Sequence, residues 1–414
     1  MQSLLILGRQ PSLGLAELES LYGAEAVRRA GSSAAIVDVD PCLLAFDRLG
    51  GSIKFCKVLT TLDTTVWKDI ERFLLQVSPG HSQQMPEGKM YLGLSVQGLS
   101  VNIRQIEATG LSLKKAIRAT GRPVRLIPNK ELELSSATVF HNRLVSDHGW
   151  ELVFIRDGQQ TIIAQTVKIQ NIDSYTRRDR DRPKRDARVG MLPPKLAQIL
   201  INLGAGRLPE DTLESICDIP AGQPIPLTLL NKRILDPFCG TGVVLQEALL
   251  MGYGAVGSDL EPRMVEYTRA NLDWLQGWSG FEATTAVTQG DATAHNWAAP
   301  EFQFDFVACE TYLGKAFTGT PRPETLAETM GDCNLIISKF LKNIGKQIKP
   351  GTRLCLAVPA WQMRPNQFRH LPLIDQIDEL GYNQVSFEHC RADQLLYYRA
   401  DQIVARQLIV IIKK

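Results

Sequence analysis

The sequence predicts an α/β protein in two parts: a compact α+β region in the first 172 residues, then a mostly parallel sheet with helices on both faces. Three observations predict it. From Lys232 onward short apolar runs alternate with segments of helical period, the pattern of βαβ units. A glycine-rich turn, DPFCGTG, sits between the first of those runs and the helix after it. Between the halves, at residues 175–188, the composition changes abruptly to YTRRDRDRPKRDAR, with seven basic and three acidic residues.

Composition bounds the rest. At 414 residues, 44% of them hydrophobic and 22% charged, the chain is globular and too long for one core. Its eight cysteines never fall at C-x-x-C spacing, and several lie inside apolar runs such as FVACE and RLCLAV. Buried thiols in a reducing cytoplasm are expected, with neither zinc nor a disulfide framework. The start MQSLLILGRQ reads as a first strand, not a signal peptide. The longest apolar stretches, such as QLIVII, fall far short of the ~20 residues of a membrane span, so no membrane association is expected. A net charge of +2 is too small to announce a nucleic-acid binder, so any such role must rest on local clusters.

Residues 1–51 read as strand, helix, strand: SLLILGR, LAELESLYG and AAIVDVD. The strand-like runs FCKVLTTLD, KMYLGLSVQG, ELVFIRDG and TIIAQTVKIQ follow, spaced by the helical VWKDIERFLLQV and SLKKAIRATG. Residues 173–190 are expected to form a basic linker on the surface. The second domain is expected over 191–414, opening with a helix after Pro193 and Pro194. Its strands are KRILDPF, GAVGSDL, ATTAVTQGD, FDFVACE, RLCLAVPA and RQLIVIIKK, with a helix expected between the last two.

In such a sheet ligands bind at the carboxyl ends of the strands. The turn from Asp236 to Gly242 carries two glycines, which let backbone approach a ligand, and the helix start adds unpaired N–H groups. That suits a phosphate or the methionine and ribose parts of S-adenosylmethionine. Leu245 stands where a dinucleotide fingerprint needs its third glycine, and no P-loop lysine is present. Asp259, ending the second strand, can accept from ribose hydroxyls. Asp291, in Gly290-Asp291-Ala292 after the third, lies where an adenine amino group would. Either aspartate taken alone also reads as a helix cap; the ordered set favours a nucleoside site.

DPFCGTG resembles the first motif of the THUMP-domain RNA methyltransferases, most of all the transfer-RNA guanosine-10 N2-methyltransferase group. Three further segments are similar to that group: RRDRDRPKRD with GMLPPKLAQ after it, GSDLEPRMVEYTRANL, and YYRADQIVARQLIV. The resemblance implies a Rossmann-like methyltransferase domain with a seven-stranded sheet, preceded by a THUMP-like RNA-binding region over 1–172. It implies S-adenosylmethionine bound by Asp236, Phe238, Gly240, Gly242, Asp259 and Asp291, with Ala292 supplying backbone, and tRNA as partner. Some relatives act with a small zinc-binding subunit; the sequence gives no sign for or against one.

Methylating an exocyclic amine requires a polar acceptor that turns the nitrogen lone pair toward the methyl donor, and an aromatic platform helps hold the base. Family members end the fourth strand on Asp or Asn, two prolines and an aromatic. This chain has Glu310-Thr311-Tyr312-Leu313-Gly314. Glu310 is expected to accept from the amine and Tyr312 to stack on the base; the lost prolines leave open a degenerate site that only binds RNA. Methylation of DNA or protein is a third reading.

Arg177, Arg178, Arg180, Arg182, Lys184 and Arg185 are candidates for phosphate contact, or their segment folds over the cofactor site. Lys114, Lys115 and Arg118, with Arg122 and Arg125 beyond, are expected on one helix face and its following loop, similar to the RNA-facing part of THUMP modules. A solvated surface is the plainer reading of both clusters. Trp67, Trp150 and Tyr91 read as core. The six histidines lack metal-ligand spacing, and Cys239 occupies the cofactor turn without a base to activate it.

Overall fold

In the computed structural model every residue is described except 1, 187–190, 221, 222, 224, 280–284, 316, 318, 320 and 401. The expected linker end at 190 and the first residues of the ATTAVTQGD run therefore lie outside the described residues. The chain forms two compact units: residues 1–11, 25–46 and 52–172 make the first, and residues 12–24, 47–51 and 173–414 the second.

The first unit is an eight-stranded sheet in the order β2-β3-β1-β4-β8-β7-β5-β6. Its strands are β1 (Ser3–Leu7), β2 (Val27–Ala30), β3 (Ala34–Val37), β4 (Ser52–Leu62), β5 (Met90–Gln97), β6 (Val124–Leu126), β7 (Gly149–Asp157) and β8 (Gln160–Ile169). Two of its helices, α2 (Trp67–Gln84) and α3 (Ile103–Arg118), lay Ile70, Leu74, Ile106, Leu113 and Ile117 against Leu92, Leu94, Trp150 and Phe154 of the sheet. Asn102 starts α3 with a capping box, its side chain accepting from Gln105 N while Gln105 returns the bond. A short α4 (Ser136–His141) completes the unit. Trp67 and Trp150 are buried, as expected of core residues.

The second unit contains β9 (Arg233–Asp236), β10 (Gly254–Asp259), β11 (Thr285–Gln289), β12 (Phe306–Glu310), β13 (Arg353–Arg364), β14 (Gln367–Arg369), β15 (Tyr382–Gln384), β16 (Leu396–Tyr397) and β17 (Val404–Lys413). The main path runs β11-β10-β9-β12-β13-β17-β15, seven strands, with β14 and β16 at its margins. Strands β9 to β13 are parallel and β17 is antiparallel to β13. The helices are α1 (Pro11–Tyr22), α5 (Ile172–Thr176), α6 (Pro194–Ala205), α7 (Glu210–Cys217), α8 (Leu227–Leu230), α9 (Val243–Leu250), α10 (Pro262–Ser279) and α11 (Pro323–Ile344). Helices α1, α6 and α9 share one buried cluster with the sheet, and α11 packs in another through Cys333, Ile337, Phe340 and Leu341.

Two expectations are corrected. Residues 1–172 are not one continuous module, because α1 and residues 47–51 belong to the second unit. Buried Glu17 of α1 accepts from Gly50 N at 2.9 Å, Gly51 N at 2.8 Å and Asn202 Nδ2 at 2.7 Å. Buried Arg48 donates to Asn202 Oδ1 at 3.1 Å and to the Tyr253 hydroxyl at 2.9 Å. Such bonds are costly to leave unmade in a core, so the pieces fold with their partners. The helix expected between β13 and β17 is also missing among the described residues; β13 instead runs on into a hairpin with β14, and two short 3-10 turns, Pro372–Gln376 and Ala392–Gln394, follow before β17.

Candidate cofactor and catalytic site

Strand order reverses between β9 and β12, and a cavity of about 670 Å³ opens at the carboxyl ends of these strands. Asp236, Phe238, Gly240, Asp259, Asp291, Ala292, Glu310 and Tyr312 all line it. Residues 74 positions apart, from Asp236 to Glu310, are thus brought to one edge by the parallel pairing of β12 with β9.

The turn after β9 forms the floor. Asp236 is 2% exposed, and its Oδ1 accepts from Phe238 N at 3.1 Å. Gly242 has φ +81°, and a Cβ there would lie 2.9 Å from Thr268 Cγ2, so glycine is required where α10 crosses the turn. Thr268 in return donates its hydroxyl to Gly240 O at 2.8 Å. At Gly240, with φ +51°, an added Cβ would meet only Phe238 O, at 4.0 Å; it would stand in open space where a ligand can lie against bare backbone.

Asp259 spends Oδ2 on Gly240 N at 2.8 Å and Oδ1 on Glu261 N at 3.0 Å. The same carboxylate therefore pins the turn, supports the chain entering α10, and keeps lone pairs for a further donor. Asp291 is exposed, with Oδ1 accepting from Thr293 N at 2.9 Å and Thr293 Oγ1 at 2.8 Å. Buried Ala292 is held through its carbonyl by Asn343 Nδ2 at 3.1 Å, and Phe238 meets Phe340 edge-on at 5.2 Å.

Glu310 ends β12, and its Oε1 accepts from Arg406 Nε on β17 in a nearly buried ion pair. Thr311 donates both its N–H, at 3.0 Å, and its hydroxyl, at 3.1 Å, to Ala357 O. Tyr312, 37% exposed, lines the cavity, as do Leu335 and Lys339 of α11.

Five carboxylates line the cavity (Asp236, Asp259, Glu261, Asp291 and Glu310), and Lys339 is the one lysine or arginine among the described lining residues. Burial pushes Asp236 well above the usual carboxylate range, and the charges of Asp259 and Glu310 add to the rise against the pull of the Phe238 N–H. Burial raises Asp259 also, despite its two backbone donors. A positive charge placed among these groups would favour their ionised forms.

The basic segment corrects another expectation. Arg182 is 3% exposed, and its Nη1 donates to Thr241 Oγ1 in the glycine turn at 3.2 Å. Arg178 pairs through Nε with buried Glu247 of α9 at 3.3 Å and lies over the Tyr175 ring. Asn271 of α10 accepts from Lys184 N at 2.9 Å and donates to both Lys184 O and Thr241 O. Asp186 takes Arg263 at 2.8 Å. Residues 173–186 are therefore a strap bound to the glycine turn and to α10, not a surface linker, and Arg178 and Arg182 are withdrawn from phosphate contact. Arg177, Arg180, Lys184 and Arg185 are exposed, with Arg177 stacked 4.2 Å from the Trp278 ring.

Lys114, Lys115 and Arg118 sit on α3 in the first unit, Lys115 and Arg118 exposed and Lys114 half-buried. Arg122 instead holds carbonyls after α2, reaching Met85 O at 3.1 Å and Pro86 O at 2.5 Å. Sequence reasoning does not single out Arg406, Asn271, Thr268 or Glu247. Each lies inside a run whose strand or helix pattern dominates, and a polar residue on the buried side of such a run is the signal available.

No family model matches the chain. A 170-residue stretch is 43% identical to the tRNA (guanine(10)-N2)-dimethyltransferase of Methanothermobacter thermautotrophicus, covering 41% of this chain and 39% of that protein. A 127-residue stretch is 32% identical to the Pyrococcus abyssi protein of the same name, covering 31% and 30%. These matches span well under half the length of the curated relatives. The crystal structure of TrmN from Thermus thermophilus aligns over 100% of both chains with a TM-score of 0.50 at 16% identity. The fold is that of a Rossmann-like methyltransferase. It accounts for the strand order, the antiparallel β17 and the cavity at the switch point.

Proposed function

We propose that this chain is an S-adenosylmethionine-dependent RNA methyltransferase acting on the exocyclic N2 amine of a guanosine in tRNA. The observation that carries the proposal is that the glycine turn, the strand-end carboxylates and the Glu310–Tyr312 pair line one cavity. The partial identity to proteins named tRNA (guanine(10)-N2)-dimethyltransferase supports the choice of substrate.

The residues present fit the cofactor. Bare backbone at Gly240 leaves room beside the turn, and the carboxylates favour a cation. Asp236, Phe238 and Gly240 would hold the methionine side, with Gly242 shaping the turn against α10 rather than lining the cavity, Asp259 the ribose, and Asp291 with Ala292 the adenine. When bound, the cofactor supplies a methyl group on a sulfonium sulfur. Glu310 accepts a hydrogen bond from the target amine and turns its lone pair toward the methyl carbon; Tyr312, half-exposed, stacks on the extruded base. Exposed Arg177, Arg180, Lys184 and Arg185 on the strap, with Lys114, Lys115 and Arg118 of the first unit acting as a THUMP-like surface, contact tRNA phosphates. A cytoplasmic location follows from that substrate, and no described helix is long and apolar enough to cross a membrane.

Competition between unmodified tRNA and duplex DNA for the protein loaded with S-adenosylhomocysteine tests the substrate class. Preferential capture of tRNA is expected. Preference for the duplex would overturn the reading.

A further inference from the structure

We infer that Arg406 is a positioning residue that sets Glu310 for its work, a role that rests on reading Glu310 as the acceptor for the target amine. Strand β17 runs antiparallel to β13, so its first residues lie at the sheet edge where β12 ends. Glu310 is opposite Ala357 on β13, and Arg406 is opposite Pro359, two residues farther toward that edge. The arginine reaches across β13 to place Nε on Glu310 Oε1, with side-chain exposures of 10% and 16%.

Backbone freedom at this point is already removed, since Thr311 spends both its N–H and its hydroxyl on Ala357 O. What remains free in a glutamate is its side chain, with three torsions and no proline following to stiffen the loop. A charge-assisted bond from a planar guanidinium fixes the carboxylate's direction as a lysine ammonium cannot. It also places a positive charge beside one of five carboxylates that otherwise repel one another across the cavity. With Oε1 taken, no bond to Oε2 is seen among the described residues, so Oε2 is the oxygen offered to the amine. As the N–C bond forms, the methyl donor's C–S bond would break and S-adenosylhomocysteine would leave, and the nitrogen sheds one proton, which passes to Oε2 and from there to water.

The test uses the full chain in single-turnover transfer from labelled S-adenosylmethionine to unmodified tRNA, beside calorimetric binding of S-adenosylhomocysteine. Arg406→Met is expected to slow transfer roughly 100-fold, the scale of losing one preorganised group, while affinity for S-adenosylhomocysteine stays within about threefold. Arg406→Lys is expected to recover part of the rate, and it carries the test if the methionine variant does not fold. The double variant Arg406→Met with Glu310→Gln should be no slower than Glu310→Gln alone. Wild-type rate in both Arg406 variants, full additivity with Glu310→Gln, or loss of S-adenosylhomocysteine affinity in step with rate would overturn the positioning role alone. A wild-type protein that transfers no methyl group would overturn the reading of Glu310 with it.

Discussion

The Asp259 carboxylate accepts the Gly240 N–H at 2.8 Å, tying the end of β10 to the turn that follows β9. One side chain thereby shapes the floor of the cavity and faces the place assigned to a ribose. Removing it costs both functions. Asp259→Ala is expected to weaken S-adenosylhomocysteine binding by about 10- to 100-fold, the size of a lost charged hydrogen bond. Asp259→Asn, which keeps one acceptor oxygen, should fall between. Calorimetry reads both, and an unchanged affinity in Asp259→Ala would remove this residue from the site.

The strap divides its cations into two kinds, and substitutions should separate them. Arg182→Met removes the bond to Thr241 and a positive charge near buried Glu247, so a stability loss of about 2 kcal/mol is expected in urea unfolding. Arg180→Ala and Arg185→Ala alter exposed side chains and should leave the unfolding midpoint in place. Their effect belongs in tRNA affinity, with the salt slope reduced by roughly 1 for each phosphate no longer neutralised.

That division marks where the sequence is legible. The alternation of strands and helices, the glycine turn and the carboxylates at three strand ends follow from local pattern, because each is written in neighbouring residues. The strap is not legible in this way, since its aspartates and arginines look solvated when counted. Burial of Arg182 depends on Asn271 and Thr241, tens of residues away in sequence. The placement of α1 in the second unit is hidden for the same reason, since Glu17 finds its partners at Gly50, Gly51 and Asn202. Glu310 is legible as a strand-end carboxylate, but its partner Arg406 lies 96 residues on and meets it only after β17 has turned back along the sheet.

Two buried carboxylates should imprint a pH dependence on stability. Burial raises both Glu17 and Glu247 from 4.5 to about 7, outweighing the hydrogen bonds to Glu17 and the pull of Arg178 and Arg182 on Glu247. Each group binds its proton more tightly folded than unfolded. Their stabilising effect is therefore complete below the unfolded value and is lost as pH climbs through 4.5 to about 7, by about 3 kcal/mol for each group. Urea midpoints measured across that window should fall with rising pH, and Glu247→Gln should flatten the slope. A midpoint that rises through the window would contradict the burial argument.

Crowded carboxylates also distinguish a cationic ligand from a neutral one. Asp236 and Asp259 are raised chiefly by burial, and a sulfonium beside them favours their charged forms. Binding of S-adenosylmethionine should release protons, and its affinity should increase with pH more steeply than that of uncharged-sulfur S-adenosylhomocysteine. Calorimetry in buffers of differing ionisation enthalpy measures the proton count directly. Identical pH slopes for the two ligands would mean that the sulfonium does not lie among these groups.

Methyl transfer from labelled S-adenosylmethionine to unmodified bulk tRNA, followed by nucleoside analysis, tests the central claim most directly. Label recovered as N2-methylguanosine or its dimethyl form is the predicted result, with Glu310→Ala abolishing it while cofactor binding persists. Measurable cofactor binding with no label in any nucleoside would contradict the account.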